Sequence, residues 1–499
     1  VAASFGGNFP AWPVRCWTDA AGLSFSPAEK KGEVTITIAP DAAPGVRWIR
    51  LYDAAGASEP VPFVVGTLAE MVEKEPNSSA RQAQAAPSST VVVNGRLDRA
   101  GDVDHFAVSL KQGQTLVASL AAHETLGSPI DAVLHVVSPQ GHQLAYNHDE
   151  RGLDPEIVFA APADGDYVVR VFAFPSTPNS TIGFAGGDPY VYRLSLTTGA
   201  FVDYPWPLAV TRGRETAVEL VGWNIPDALR AMKIVPDGER VEISDAQLAN
   251  VARVLVEGHE TLVEAEPNEP SGPQAITLPA TITGRIERAG DFDAFRFEGK
   301  KGEALVFRLE SRTLGYPLDG VLEITDEAGK SLVKVDDVGS QRDPLITFAP
   351  PVDGAFRVVV SDLHRQGSAR HVYALRATRA EATYEVTADA RAYTVSPEKG
   401  AEITLAIDRQ NGFGEEIGFT AVGLPEFVTV AQATSAATGD SAKTVKLSVT
   451  SKGGEFSGPI RITAAATGAS KLQRTATAAI PNHTARIADL WLTATGEKK

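Results

Sequence analysis

Apolar and polar residues alternate with a period of two along most of this chain. The alternation is countable at Val34, Ile36, Ile38; at Phe106, Val108, Leu110; at Tyr167, Val169, Val171; at Ile403, Leu405, Ile407; and at Val445, Leu447, Val449. Successive side chains of a strand point to opposite faces, so these runs predict half-buried antiparallel strands. Turn clusters such as Ala163-Asp164-Gly165-Asp166 and Val352-Asp353-Gly354 separate the runs at sandwich-like intervals. Helical periodicity is confined to short stretches near 225–235 and 243–256. The expected fold is all-β, a tandem array of jelly-roll-like and immunoglobulin-like β-sandwich domains.

A long text occurs twice. "VVVNGRLDRAGDVDHFAVSL" and "PIDAVLHVVSPQGHQLAYNHDERGLDPEIVFAAPADGDYVVRV" return in order as "ATITGRIERAGDFDAFRFEG" and "PLDGVLEITDEAGKSLVKVDDVGSQRDPLITFAPPVDGAFRVVV". Repetition at this length means one structural unit used twice. Shorter segments, 1–66 and 200–262, precede the copies at 67–199 and 263–379 and share a tryptophan-bearing start. Residues 380–499 have no counterpart, and "GLPEFVTV" and "GDSAKTVKLSV" are edge and hairpin text of one more sandwich. Five modules are expected, strung in chain order as an elongated array.

Each long copy opens on the same acidic linker, "EKEPNSSARQ" at 73–82 and "EAEPNEPSGP" at 264–273, followed by Arg-Ala-Gly-Asp-x-Asp at 99–104 and 288–293. In an extended segment Glu73, Glu75 and Asn77 share a face, as do Glu264, Glu266 and Asn268. Long glutamate side chains can converge from that face on an irregular oxygen cage of the kind calcium accepts. Asp102 and Asp104, or Asp291 and Asp293, add carboxylates from the first strand of the sandwich, and Asn94 and Thr283 are further oxygen donors. Arg99 and Arg288 offer the alternative: a guanidinium paired with Glu75 or Asp102 fills the same place without metal. A second repeated acidic set, Asp131, Asp149 and Asp154 against Asp319, Asp337 and Asp343, stands in loop-like text, where aspartates usually bond their own backbone.

The Glu-Pro-Asn start, the "GDxDxF" strand, "PLDxVL", "DD" and "APxDGxYxVxV" resemble the bacterial pre-peptidase C-terminal domain, a jelly-roll-like sandwich related to the collagen-binding domain of bacterial collagenases. The resemblance covers 67–199 and 263–379; the shorter segments resemble immunoglobulin or IPT/TIG modules more loosely. It implies a secreted or cell-surface, non-catalytic domain that often accompanies peptidases. It also implies that the linker glutamates, the asparagine and the strand aspartates named above bind calcium.

Composition narrows the partners. A formal charge of −16 disfavours nucleic acid, whose phosphates need clustered Lys and Arg, and favours cations. The single cysteine, Cys16, excludes an intrachain disulfide and any Cys-based metal site. No stretch approaches the roughly eighteen apolar residues of a membrane span, and "VAASFGGNFPAWP" lacks the pattern of a secretion signal. No Gly-x-Ser-x-Gly elbow occurs, "HETLG" and "HDERG" lack a second zincin histidine, and Gly329-Lys330-Ser331 fails as a P-loop because Ile324 holds the first glycine place. His105, His123, His135, His142 and His148 crowd the first copy, but Ala294, Ser311, Glu323, Lys330 and Asp336 replace them in the second. No catalytic residue is therefore assigned.

Trp12, Trp17, Trp48, Trp206, Trp223 and Trp491 are expected mainly in cores. Asn77-Ser78-Ser79, Asn179-Ser180-Thr181 and Asn482-His483-Thr484 match a glycosylation pattern to which no role is given, and Lys498-Lys499 ends a polar tail. The expected function is a non-catalytic structural or adhesion protein of the cell surface, binding extracellular protein or polysaccharide or assembling with itself. The alternatives are an accessory targeting region of a secreted peptidase or polysaccharide hydrolase, and an enzyme with an unrecognised site.

Overall fold

The computed structural model describes residues 1–9, 11–138, 140–177, 183–339 and 342–496. The Asn179-Ser180-Thr181 pattern and the Lys498-Lys499 tail lie outside them. The fold is all-β, a tandem set of sandwiches. Each counted alternation lies in a strand, with Phe106, Val108, Leu110, Tyr167, Val169 and Val171 buried in one core and Ile403, Leu405, Ile407, Val445, Leu447 and Val449 in another. The helical reading fails in its second stretch. Asp227–Arg230 forms one turn of helix, but Ala252–Glu257 is a strand whose Ala252, Val254 and Val256 face a core. Val254, Leu255 and Val256 are β-branched or bulky and pack well on a pleated surface, which overrides a weak helical period.

The two long copies share one topology. The first has strands β1 (Glu70–Val72), β2 (Gln84–Ala85), β3 (Thr90–Arg96), β4 (Asp104–Leu110), β5 (Thr115–Ala121), β6 (Ile130–Val137), β7 (Gln143–Asn147), β8 (Glu156–Ala160), β9 (Gly165–Pro175) and β10 (Val191–Thr197). The second has β11 (Glu260–Val263), β12 (Gln274–Ala275), β13 (Ala280–Arg285), β14 (Asp293–Gly299), β15 (Leu305–Glu310), β16 (Gly320–Asp326), β17 (Ser331–Val335), β18 (Leu345–Phe348), β19 (Gly354–Asp362) and β20 (Val372–Arg379). One sheet of the first copy runs β7-β6-β9-β4-β2 and the other β8-β5-β10-β3-β1. The second copy repeats both orders strand for strand, β17-β16-β19-β14-β12 and β18-β15-β20-β13-β11. The shared strand order expected from the repeated text is therefore present.

The shorter segments each hold two three-stranded sheets, but in different orders. In the first segment Ala2–Ser4, Glu33–Ile38 and Leu23–Pro27 form one sheet and Arg15–Thr18, Gly45–Tyr52 and Val61–Val65 the other. In 201–257 the sheets are Phe201–Trp206, Thr216–Trp223, Ala231–Ile234 and Ala209–Thr211, Ala252–Glu257, Arg240–Ile243. Their loose resemblance in sequence does not extend to connectivity.

The chain divides into two compact units, and the first of them joins the two ends of the chain. Val1–Val65 and Glu381–Lys499, with Thr125–Gly127, form one unit; Gly66–Glu124 and Ser128–Ala380 form the other. In the first unit Trp491 of the terminal sandwich is buried against Trp17, at 6.0 Å between ring centroids, and Tyr52, at 4.8 Å. Arg391 pairs with Glu59 through Nε at 2.5 Å and Nη2 at 2.9 Å. Two three-stranded sheets bury too little apolar surface to stand alone, so the leading segment takes its remaining cover from the chain's other end. Trp491 is the tryptophan that is fully buried; Trp12, Trp17, Trp48, Trp206 and Trp223 are half-buried.

In the second unit the middle segment is locked to both repeats by buried ions. Arg370 grips Asp203 bidentately, Nε to Oδ2 at 2.6 Å and Nη2 to Oδ1 at 2.9 Å, and also pairs with Glu150. Arg151 reaches the same Asp203 Oδ1 at 2.9 Å. A mixed core of Tyr204, Leu208, Ala209 and Leu255 with Tyr316, Val372 and Ala374 joins the middle segment to the second repeat.

Candidate metal centre

The acidic linker is part of both sheets. In the first repeat β1 pairs parallel with β3, Val72 opposite Asn94, and β2 pairs parallel with β4. β11 and β12 do the same with β13 and β14. The segment between these short strands therefore crosses the end of the sandwich, directly over the first residues of β4 and β14, Asp104 and Asp293. It is not extended, as the sequence suggested. Glu73 leaves the ladder by donating its N–H to Asn94 O, and Glu75 Oε2 folds back to accept the N–H of Asn77 at 2.7 Å. The Glu75-Pro76 and Glu266-Pro267 bonds are both cis. The backbone bends at Glu75 and at Glu266, and this bend, rather than a shared strand face, brings the carboxylates together.

Glu73, Glu75 and Asp104 each present a carboxylate oxygen within 4.8 Å of the others, and so do Glu264, Glu266 and Asp293. Among the described residues these are the only such groups of His, Cys, Asp and Glu. Each cluster has a tyrosine beneath it. Tyr192 donates to Asp104 Oδ2 at 2.6 Å; Tyr373 donates to Asp293 Oδ2 at 2.5 Å and lies 3.3 Å from Glu264 Oε2. The tyrosines lie flat over Gly95 and Gly284, their cross-strand partners, where an added Cβ would land on the ring. That is why "NGR" and "TGR" both keep glycine. Neither tyrosine was singled out from sequence, although both stand at matching places in "VYRLSL" and "VYALRA".

The other named residues divide. Asn77 and Asn268 are fully buried beside the clusters, and Asn77 Nδ2 donates to Glu73 Oε1 at 3.2 Å. Asp102 and Asp291 shape the adjoining loop, accepting the N–H of Asp98 at 2.7 Å and of Glu287 at 2.8 Å. Asn94 and Thr283 turn away. Arg193 occupies Asn94 Oδ1 at 2.6 Å, and Thr283 Oγ1 accepts the N–H of Leu208 at 3.1 Å. They face outward because they alternate with Gly95 and Gly284 on their strands.

No arginine fills either cluster among the described residues. Arg288 reaches Glu269 at 3.4 Å and Asp291 at 3.5 Å along the surface, and Arg99 pairs with neither Glu75 nor Asp102. Arg96 and Arg285 pair outward with Asp98 and Glu287. The guanidinium pairing thus occurs at Asp291, the second-copy equivalent of Asp102, and not at the glutamates of either cluster among the described residues. What remains is mutually repelling acid, with Asp104 and Asp293 buried, Glu73 and Glu264 half-buried, and Glu75 and Glu266 exposed. Burial above all, then the neighbouring Glu75, Asp98 and Asp102, pushes Glu73 up to about 7. Burial and then Glu73 push Asp104 up to about 8, against the pull of the Tyr192 hydroxyl. Glu264 and Asp293 are likewise raised, chiefly by burial.

Several oxygens here have no partner at all. Asn77 Oδ1, Asp104 Oδ1, Asn268 Oδ1 and Asp293 Oδ1 are buried and accept no hydrogen bond, and Asn268 Nδ2 donates none. All four residues are 0% exposed. An unsatisfied buried polar group costs about 1–3 kcal/mol, and native proteins hold few of them. Their recurrence at matching places in two repeats fits a ligand set for a hard cation, carboxylate and amide oxygens being the donors calcium takes.

In the second acidic set Asp154 and Asp343 hold backbone. Asp154 accepts the N–H groups of Ala122, His123 and Glu124, and Asp343 those of Ser311, Arg312 and Thr313. The histidines scatter. His123 bonds Ser128 O, His135 packs on Arg170 and Phe172, and His148 pairs with its neighbour Asp149. Asn77 of the first glycosylation pattern is buried. Sequence reasoning missed the Arg370–Asp203 lock; only "ARHVY" against "DPYVY", an arginine where the first copy has Pro189, marks it.

No family model matches the chain. A protein of Deinococcus radiodurans named as a probable subtilase-type serine protease is 39% identical over 70 residues, 14% of this chain and 10% of that relative. Its remaining nine-tenths have no counterpart in the match. The pre-peptidase C-terminal domain of a Bacillus anthracis collagenase matches at 16% identity over 25% of this chain and 100% of its own, with a TM-score of 0.18. A Clostridium perfringens structure of an M60 catalytic domain with two CBM51 domains matches at 9% identity over 75% of this chain and 56% of its own, with a TM-score of 0.15. Among the described residues no helix is long and apolar enough to cross a membrane.

Proposed function

We propose that the chain is a non-catalytic accessory region of a secreted hydrolase, built on two sandwiches of the pre-peptidase C-terminal type, in which calcium closes each acidic linker onto its sandwich. The observation that carries this reading is the pair of matching clusters whose buried oxygens lack partners. Glu73, Glu75, Asp104 and the Asn77 amide oxygen would hold one ion; Glu264, Glu266, Asp293 and the Asn268 amide oxygen the other. The ion supplies positive charge that lets the buried carboxylates ionise together, and the protein supplies rigid oxygens at the sandwich end. Asp102 and Asp291 hold the loop that carries Asp104 and Asp293.

The short match to a subtilase-type protease favours the accessory role over a free-standing adhesion protein. Extracellular protein or polysaccharide would be the partner, and the location would be outside the cell. Calorimetric titration of calcium into the chelated full-length chain tests the clamp. Two bound ions per chain are expected, one lost in Glu73→Gln and the other in Glu264→Gln. Absence of heat, with a melting temperature indifferent to EDTA, removes the reading.

A further inference from the structure

The second cluster touches more than its own sandwich. Glu264 Oε1 accepts the N–H of Arg285 at 2.7 Å, and the Glu264 N–H donates to Thr283 O at 2.9 Å. One cluster glutamate therefore fixes the backbone on both sides of Gly284. The side chains of the same two residues reach into the joint with the middle segment. Thr283, 0% exposed, accepts the Leu208 N–H through its hydroxyl at 3.1 Å. The Arg285 guanidinium lies over Trp206, 5.4 Å from the ring centroid. Leu208 belongs to the mixed core that binds the middle segment to the second repeat.

In the first cluster Glu73 holds the backbone in the same way, bonding Asn94 O and the Arg96 N–H, but among the described residues the contacts with the middle segment are missing. Asn94 stands in the place of Thr283, and its amide holds Glu70 at 2.8 Å and Arg193 at 2.6 Å, both within its own sandwich. Arg96, in the place of Arg285, pairs with Asp98 and Asp188. Equal acidic clusters thus sit on strands with unequal neighbours.

We propose that cation binding at Glu264, Glu266 and Asp293 is coupled to the joint between residues 200–257 and the second repeat, with Thr283 and Arg285 as the link and Trp206 as the group that feels it. The proposal rests on reading the cluster as a cation site, which the buried, unpartnered Asn268 amide supports independently of the acids. A cation held by Glu264 and Asp293 would replace the contact between their carboxylates and change the hold of Glu264 on the Arg285 N–H, so positions 283–285 differ between loaded and empty states. Coupling of two events is reciprocal: the factor by which the ion favours the closed joint is the factor by which the closed joint favours the ion.

The experiment follows calcium binding to the chelated full chain by calorimetry and by tryptophan emission in parallel. Emission should change in step with the second site, vanish in Trp206→Phe and Glu264→Gln, and persist in Glu73→Gln. Thr283→Val, which strands the Leu208 N–H, should weaken the second site about fivefold or more and leave the first unchanged. Should that variant fail to fold, Arg285→Gln removes the contact with Trp206 and should uncouple emission from binding. Second-site heat without an emission change, together with unaltered affinity in both variants, overturns the joint and leaves the clamp intact. No heat at either site overturns both.

Discussion

The two repeats carry the same acidic linker on the same ten strands and both meet the middle segment, yet only the second ties the strand beside its acidic cluster to that segment. The difference lies outside the clamp. Asn94 bonds within its sandwich where Thr283 bonds to Leu208, and Pro189 stands where Arg370 grips Asp203. A duplicated module therefore keeps its core and its cluster while acquiring, by single outward-facing changes, a fixed place in a larger body.

The sharpest way to break this comparison is at Arg370. Arg370→Ala leaves Asp203, with its side chain 3% exposed, holding only Arg151. Stranding a buried ion pair costs about 3–5 kcal/mol. At the matching place in the first repeat, Pro189→Ala should cost about 1 kcal/mol or less. Urea unfolding of the full chain measures both, and equal costs would mean that the asymmetry has no energetic content.

Calcium comes next. At a hundredfold excess over its dissociation constant each ion should add about 2.7 kcal/mol to the unfolding free energy of the body that binds it. Thermal melts with calcium and with EDTA read this directly, and Glu73→Gln and Glu264→Gln should each abolish one share. Gly95→Ala and Gly284→Ala follow, each at about 1–3 kcal/mol for overpacking against Tyr192 or Tyr373. Both should also weaken the ion, since the displaced tyrosine loses Asp104 or Asp293. Wild-type calcium affinity in either glycine variant would detach the tyrosines from the site.

The smallest effect is that of pH on the chelated chain. Carboxylates raised in the folded state, Glu73 to about 7 and Asp104 to about 8, bind protons there that the unfolded chain, with carboxylates near 4, has released. Their stabilising contribution is full below pH about 4 and is lost as pH rises through about 7–8. Calcium, which binds the ionised acids, should flatten the loss. A melting temperature in EDTA that rises between pH 5 and 8 would contradict the burial of these groups.

Much of this was legible beforehand. Period-two alternation is a local property that survives any packing, so Phe106, Val169 and Leu405 lie on cores as read, and the repeated text carried the repeated strand order with it. The acids Glu73, Glu75, Asp104 and their second-copy equivalents were among the residues named from the repeated linker, although on the expectation of an extended strand face that the structure does not have.

Tertiary structure decided the rest. Which donors join the acids depends on strand adjacency: Tyr192 and Tyr373 enter from β10 and β20, about a hundred residues downstream, while Asn94 and Thr283, close in sequence, face the other way. The packing of Trp491 on Trp17 and Tyr52, and the grip of Arg370 on Asp203, join residues separated by most of a domain or more. Sequence alone determined the strands, the repeat and the acids, since each follows from residues within a few positions of one another. Only the folded chain decided their company, since burial and pairing are set by surfaces that meet after the sheets have formed.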